Sequence, residues 1–372
     1  MLRVKYLFTS VGSAGHPIPF DENATLPPDL IKDFVSEGFC YMWSRMLDLG
    51  IVDDVEVVME SARFPGLYEF TPKFRFRIVP HINQFFKHIE PDDIIFVRGG
   101  FKSWFPCLQQ WKKEQKWVLF YQAATNRGVW QFWDVVFNDL VSENGKDRYG
   151  RFHLAFKKPT HPSFFKPMEI PRDFDICVGA SHIHDKKGQW KVIRAIQAYE
   201  RRYGKALNAV MPGRMYHGTS TNLMVEDIQA GKVSRLTMPG MVSRLEVGKI
   251  LNRSKLFVHV GGAGQNDRGV LESMACGTPV MLANTQYHAP FTFKTPLSFV
   301  TLNSLNPEAL AVDIHNALEV CTEERRVEVK RYFEDESSVE AVILPAMWRL
   351  FKFLRANPKA DREALWREYG VL

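Results

Sequence analysis

The sequence predicts an α/β protein made of two doubly wound halves. Three observations predict it. Short apolar runs that read as buried strands alternate with amphipathic helical stretches along most of the chain. One stretch, 255–283, joins a strand, a glycine-rich loop and a helix without interruption. The length of 372 residues suits two domains.

The stretch 255–283 is the most informative. Lys255 to Val260 has the apolar, alternating character of a buried strand. Gly261, Gly262 and Gly264 follow, where backbone can approach a ligand closely. Asp267 to Ala275 is then expected as a helix, with Val270, Leu271, Met274 and Ala275 on one buried face. Gly277 ends it and Thr278 opens the next strand. A helix N-terminus carries unpaired N–H groups and a positive partial charge, so this junction can hold an anion such as a phosphate. Glu272 is placed to accept from the hydroxyls of an attached group, such as a ribose. The same pattern fits any strand–loop–helix unit in which Glu272 is merely solvated, and the residues alone leave both readings open.

The run Glu272-Ser-Met-Ala-Cys-Gly-Thr-Pro-Val280 resembles the "EAMACGTPVV" signature of retaining GT-B-fold glycosyltransferases of the glycogen-synthase/sucrose-synthase type, also called group 1. The resemblance implies two Rossmann-like domains facing a central cleft, with a C-terminal helix crossing back. It implies that Glu272 binds the ribose of a nucleotide-sugar. An upstream glutamate that binds the transferred sugar in that family corresponds to Gly264, which leaves Gln265 or Asp267 as candidates for that contact.

Composition is ordinary for a globular chain, with 45% hydrophobic and 24% charged residues. A chain of this length buries roughly three quarters of its unfolded surface. A net charge of +6 permits an acidic partner without demanding one. The five cysteines are scattered, with no CxxC pair, which fits a reducing cytoplasm. No apolar run approaches a membrane span, and the apolar core Tyr6 to Val11 is too short for a signal peptide.

Val4 to Ser10 reads as the first strand, with a Gly12–Gly15 turn after it that the resemblance sets against donor phosphates and acceptor. A helix is expected over 30–49, strands over 55–59 and 74–79, a helix over 81–89, and strands over 92–97 and 117–121. Arg98, Asn126 and Arg127 fall at strand ends, where side chains reach a ligand or pair with surface carboxylates. The resemblance puts Gln122 where the family has a histidine against the transferred sugar. Residues 146–158 interleave basic residues with Tyr149, Phe152 and Phe156. That mixture suits a solvated loop, or less often a nucleic-acid surface.

Thr160 to Pro167 resembles the segment that precedes the family's domain crossover, so the resemblance sets the first boundary at 168–173, giving domains over 1–168 and 169–340 and returning helices over 341–372. The second domain opens with a strand over 174–179, a polar loop, and a helix over 189–203 with Val192, Ile193, Ile196 and Tyr199 on one face. A lysine between such a strand and helix can neutralise a diphosphate. The resemblance assigns that role to Lys187. Ala180 stands in place of the family's arginine, with His182 or Lys186 as substitutes. His182 and His184 equally suit a turn. A strand over 206–211 leads to Arg214, a further phosphate candidate. The resemblance gives Met241 and Val242 the backbone contacts to the base. A helix is expected over 244–253. His288, in a bulky polar segment, is a candidate for donor or acceptor contact or for a turn cap. Helices over 307–320 and 338–354 complete the chain.

The resulting expectation is a metal-independent, cytoplasmic glycosyltransferase, moving a hexose or pentose with retention. Its donor is a UDP- or GDP-sugar, taken as substrate with no cofactor. Donor-binding candidates are Gly12, His182, Lys186, Lys187, Arg214, Met241, Val242, Gly262, Gly264, Gln265, Asn266 and Glu272. Lys187, Gln122 and Asp267 are placed nearest the chemistry. The acceptor is a glycan, a lipid-linked sugar reached by peripheral membrane contact, a small molecule, or a hydroxymethylated pyrimidine in DNA as for phage enzymes of this fold. A non-catalytic nucleotide-sugar binder is the alternative of a different class.

Overall fold

The structure is a computed structural model. It describes residues 1–8, 37–60, 65–81, 84, 86–90, 93–98, 105–114, 116–122, 133–139, 143–146, 150–179, 182–261, 267–283, 298–301 and 306–371. The chain forms two compact units, Met1–Pro159 with Val342–Leu372, and Thr160–Ala341. No helix among the described residues is long and apolar enough to cross a membrane.

In the first unit the described strands are β1 (Arg3–Phe8), β2 (Asp54–Glu60), β3 (Gly66–Thr71), β4 (Phe74–Val79), β5 (Asp93–Arg98), β6 (Val118–Gln122), β7 (Val135–Asn138), β8 (Gly145–Lys146) and β9 (Phe152–Ala155). They form one sheet in the order β3-β4-β2-β1-β5-β6-β7-β9-β8. Its interior pairs are parallel, with Val4 opposite both Val55 and Ile94. The antiparallel pairs lie at the edges, β3 on β4 and β8 on β9. Valine, isoleucine and phenylalanine fill the central strands because both faces are covered.

One expectation changes here and two are met in part. The described part of 146–158 is not all loop: β9 runs through it, and Phe152, Leu154 and Phe156 are buried, while Tyr149 lies outside the described residues. The two phenylalanines serve the core and offer no ring to a nucleic-acid base. Over 81–89 the described residues show Gln84 in a helix and a 3-10 turn over Phe86–His88, so the expected helix is met in part. Before β5 the Glu90 amide donates to Asp93 Oδ2 at 2.7 Å. Over 30–49 the described helix spans Gly38–Asp48, and 30–36 lie outside the described residues.

Arg98 at the end of β5 pairs with a buried carboxylate, not a surface one. Its Nη1 donates to Glu37 Oε1 at 2.6 Å and to the Tyr6 hydroxyl at 3.2 Å, and its guanidinium lies 4.5 Å from the Phe39 ring centre. The other Glu37 oxygen accepts from the Phe39 amide at 2.8 Å, capping the Gly38–Asp48 helix. Burial would lower the Arg98 pKa, but Glu37 and Tyr6 beside it hold it above the ordinary value. Asn126 and Arg127 lie outside the described residues.

Val342–Leu372 belongs to the first unit. A π-helical turn, Val339–Ile343, precedes the Leu344–Ala356 helix. Phe351 packs edge-on against Trp43 at 5.9 Å between ring centres. The Trp117 indole donates to the Asn357 carbonyl at 2.6 Å, and Arg362 pairs with buried Asp134 at 3.0 Å.

In the second unit the described strands are β10 (Phe174–Val178), β11 (His182–Ile183), β12 (Ala209–Pro212), β13 (Arg214–Met215), β14 (Leu236–Gly240), β15 (Ser254–His259), β16 (Val280–Ala283) and β17 (Ser298–Thr301). Six of these form a parallel sheet in the order β14-β12-β10-β15-β16-β17, and β11 pairs with β13. Alternate residues of β10 and β15 feed two cores: Ile176, Val178, Leu256 and Val258 into one, Cys177 and Phe257 into the other. The first core takes the Gln189–Tyr203 and Pro307–Glu319 helices, and the second takes Arg244–Arg253, Arg268–Ala275 and Glu323–Ser337.

The first break along the chain lies at Thr160, ahead of the 168–173 expected. The reason is the packing of 160–170. Phe165 is in the second unit's core, and buried Asn252 accepts from the Met168 amide at 2.8 Å while donating to the Lys166 carbonyl at 2.9 Å. The chain crosses the Arg244–Arg253 helix at Gly248, where a Cβ would lie 2.1 Å from the Phe164 carbonyl oxygen.

A Glu37→Ala variant leaves Arg98 a buried cation without its carboxylate. It is expected to lose about 3–5 kcal/mol of unfolding free energy in urea titration, more than a change at half-buried Arg45, Arg45→Ala.

Candidate functional site

The second sheet reverses its winding between β10 and β15: the chain goes outward through β12 and β14, then returns to the other side of β10. In open parallel sheets the crevice at such a switch point, beyond the carboxyl ends of the strands, is where ligands bind. The loops after β10 and β15 meet there.

Glycines let them meet. The Phe257 ring of β15 lies under the end of β10, where a Cβ on Gly179 would sit 2.0 Å from its Cζ, and under the next helix, where a Cβ on Gly269 would sit 3.0 Å away. Higher up, a Cβ on Gly261 would be 2.8 Å from the Lys187 carbonyl oxygen. Gly188, at φ +74°, turns the chain into the Gln189–Tyr203 helix beside Val260. Lys187 is therefore pressed onto the start of the loop after β15.

The loop carrying Lys187 is held from below and from the side. The Gln189 amide donates to the Gly179 carbonyl at 3.4 Å and to the His182 carbonyl at 2.9 Å. Asp185 accepts from the Thr221 amide and hydroxyl, each at 2.8 Å, and from the Ser220 amide at 3.3 Å, so it caps the Thr219–Gln229 helix from another segment. Gly218 admits that carboxylate, since a Cβ there would be 2.7 Å from Asp185 Oδ1. His184 caps the Asp185–Lys187 turn, its Nδ1 accepting from the Lys186 amide at 3.2 Å.

The sequence candidates fall as follows. β11 pairs with β13, placing His182 opposite Arg214. The His182 ring is 5.4 Å from the Tyr216 ring and the Arg214 guanidinium 5.7 Å from the same ring. Desolvation, then the Lys187 charge, holds the His182 imidazole below its ordinary value, which favours the neutral ring. Lys187 Nζ pairs with Asp267. Asp267 is the N-cap of the Arg268–Ala275 helix, its Oδ1 accepting from the Gly269 amide at 3.3 Å. Buried His259, at the end of β15, has Nε2 3.8 Å from Asp267 Oδ2. Lys186 is exposed, as are Arg214 and Met241, while Val242 packs partly on the core. Glu272 is buried at 8% exposure on that same helix. Burial, and after it the Glu272 charge, push the neighbouring Cys276 thiol up.

Gly12, Gly262, Gly264, Gln265, Asn266 and His288 lie outside the described residues. Gln122 ends β6 in the first unit, in register with Asn138. Three residues that matter locally escaped the sequence reading. Arg268 opens the helix after Asp267, and its charge is among those that depress the His182 pKa. Asp185 acts through partners far away in sequence, Ser220 and Thr221, and His259 faces Asp267 across the loop after β15. The Thr219-Ser-Thr221 run before Met224 and Ile228 was the available sign of the helix that Asp185 caps.

No protein-family model and no curated protein sequence matches the chain. Solved structures do match its shape, and they define its class: the fold is that of the GT-B glycosyltransferases. A sucrose-phosphate synthase from Thermosynechococcus elongatus matches at TM-score 0.61 and 12% identity, over 96% of this chain and 100% of that one. A glycosyltransferase from Rickettsia africae matches at TM-score 0.64 and 14% identity, over 95% and 99%. An Anabaena protein in complex with UDP and glucose matches at TM-score 0.62 and 11% identity, over 95% and 99%.

The Thr221 hydroxyl, then the backbone amides, hold the Asp185 carboxyl below its ordinary 3.8. A depressed folded pKa adds stability above the unfolded value and loses it as pH falls through the folded one. An Asp185→Ala variant should thus be less stable than wild type by about 1 kcal/mol at pH 7. The gap should shrink in chemical denaturation as pH drops below 3.8.

Proposed function

We propose that the chain is a glycosyltransferase that binds a nucleotide-sugar in its second unit and transfers the sugar to an acceptor hydroxyl with retention. The observation that carries this reading is the placement of Lys187. It stands beside the N-terminus of the Arg268–Ala275 helix, at the β10–β15 switch point of a GT-B fold. A cation, helix amides and a glycine-rich approach suit a diphosphate. An Anabaena protein of the same fold is in complex with UDP and glucose.

In this reading Lys187 and the helix N-terminus stabilise the leaving diphosphate, with Arg214 and Arg268 adding positive charge nearby. Neutral His182 donates or accepts a hydrogen bond without adding charge. These groups supply the positive charge that a metal ion supplies elsewhere. A leaving-group phosphate oxygen takes the acceptor proton, as the family resemblance implies. The Gly240–Val242 turn at the end of β14 lies on the same edge of the sheet and suits backbone contacts to a UDP or GDP base. Glu272 is the ribose partner.

For the acceptor, a glycan or lipid-linked sugar is favoured over a DNA base. Phe152 and Phe156, two of the three rings that would stack on bases, are in the core. A non-catalytic nucleotide-sugar binder is the second reading, and Gly264 in place of the family's glutamate is what favours it. Turnover of a UDP- or GDP-sugar panel separates the two readings.

Calorimetry with UDP, GDP and ADP tests the site. Wild type should bind UDP or GDP, and Lys187→Ala should lose roughly tenfold or more in affinity. Unchanged affinity in the variant refutes the diphosphate assignment.

A further inference from the structure

We propose that Asp267 is the resting partner of Lys187, and that the donor's diphosphate binds by taking its place. This rests on the nucleotide-sugar reading and adds to it a residue that sets how tightly donor and product are held.

The Asp267 carboxylate stands on both groups that an incoming phosphate needs. One oxygen pairs with Lys187 Nζ, and the other accepts from the Gly269 amide at the start of the helix. The two side chains are 23% and 15% exposed, so the pair is only partly screened by water. Further basic groups stand nearby among the described residues. Arg268 follows Asp267 in the chain, and His182 and Arg214 stand opposite each other on β11 and β13. Buried His259 faces the same carboxylate at 3.8 Å.

A diphosphate and Asp267 cannot both hold Lys187 at full strength. Two like charges about 4 Å apart repel, the more strongly the drier the site. The diphosphate has more oxygens and more charge, so it displaces the carboxylate. When product leaves, Asp267 takes the lysine back. Measured donor affinity is then a difference: the strength of the new diphosphate interactions, less that of the Lys187–Asp267 pair they replace. No covalent bond is made or broken in the exchange. The carboxylate swings from the amine toward solvent or toward hydroxyls of the transferred sugar.

The test is Asp267→Asn. Asparagine caps helices as well as aspartate, so the fold is kept while the charge is removed. UDP affinity by calorimetry should rise roughly threefold to tenfold, the worth of a partly exposed ion pair. The gain should vanish in a Lys187→Met background, because the carboxylate acts through the lysine. Affinity unchanged or weaker in Asp267→Asn, with Lys187→Met still losing UDP, overturns the exchange and leaves the diphosphate reading standing. An equal gain in both backgrounds also overturns it, since the charge then acts without Lys187. If wild type binds no nucleoside diphosphate, both fall together.

Discussion

One packing constraint organises the second unit: the Phe257 ring fills the space under the β10–β15 switch point that side chains on Gly179 and Gly269 would need. With the ring there, the end of β10 and the start of the Arg268–Ala275 helix close onto β15 from both sides. The loops above are drawn together, and Gly261 lets the Lys187 backbone rest on the turn after Val260. A lysine, a helix N-terminus and a carboxylate then share one corner of the sheet. None of them is brought there by its own local preference.

That corner is braced by contacts outside it. Asp185 ties the lysine loop to the Thr219–Gln229 helix, and Gln189 ties it to the end of β10. The β11–β13 pair adds a second anchor. Cations held close together repel, so the framework must supply what their mutual repulsion takes away. The Lys187–Asp267 pair and the neutral state of His182 lessen that repulsion in the free protein.

Much of this is legible in the sequence, and the part that is not has a common cause. The helices Gln189–Tyr203 and Arg244–Arg253 sit where the apolar period puts them, because each buries one face against the sheet. The β15–Arg268 helix–β16 unit is equally plain, since strand, glycine and helix signals fall in order. β3 goes unseen because it is an edge strand with most residues exposed, so no apolar alternation marks it. β9 resembles a loop because its charged neighbours hide two inward phenylalanines. Arg98 looks like a surface residue, yet its partner Glu37 is distant in sequence and buried with it. Register between β11 and β13, and the reach of Asp185 to another helix, depend on tertiary contacts that no local pattern records.

The central claim is that the switch point of the second sheet holds a nucleoside diphosphate. A crystal structure of the chain with UDP tests it most directly. The account predicts phosphate oxygens within hydrogen-bond distance of Lys187 Nζ and of the first amides of the Arg268–Ala275 helix, with the Asp267 carboxylate turned off the lysine. A nucleotide bound elsewhere on the chain, with the Lys187–Asp267 pair intact, contradicts it.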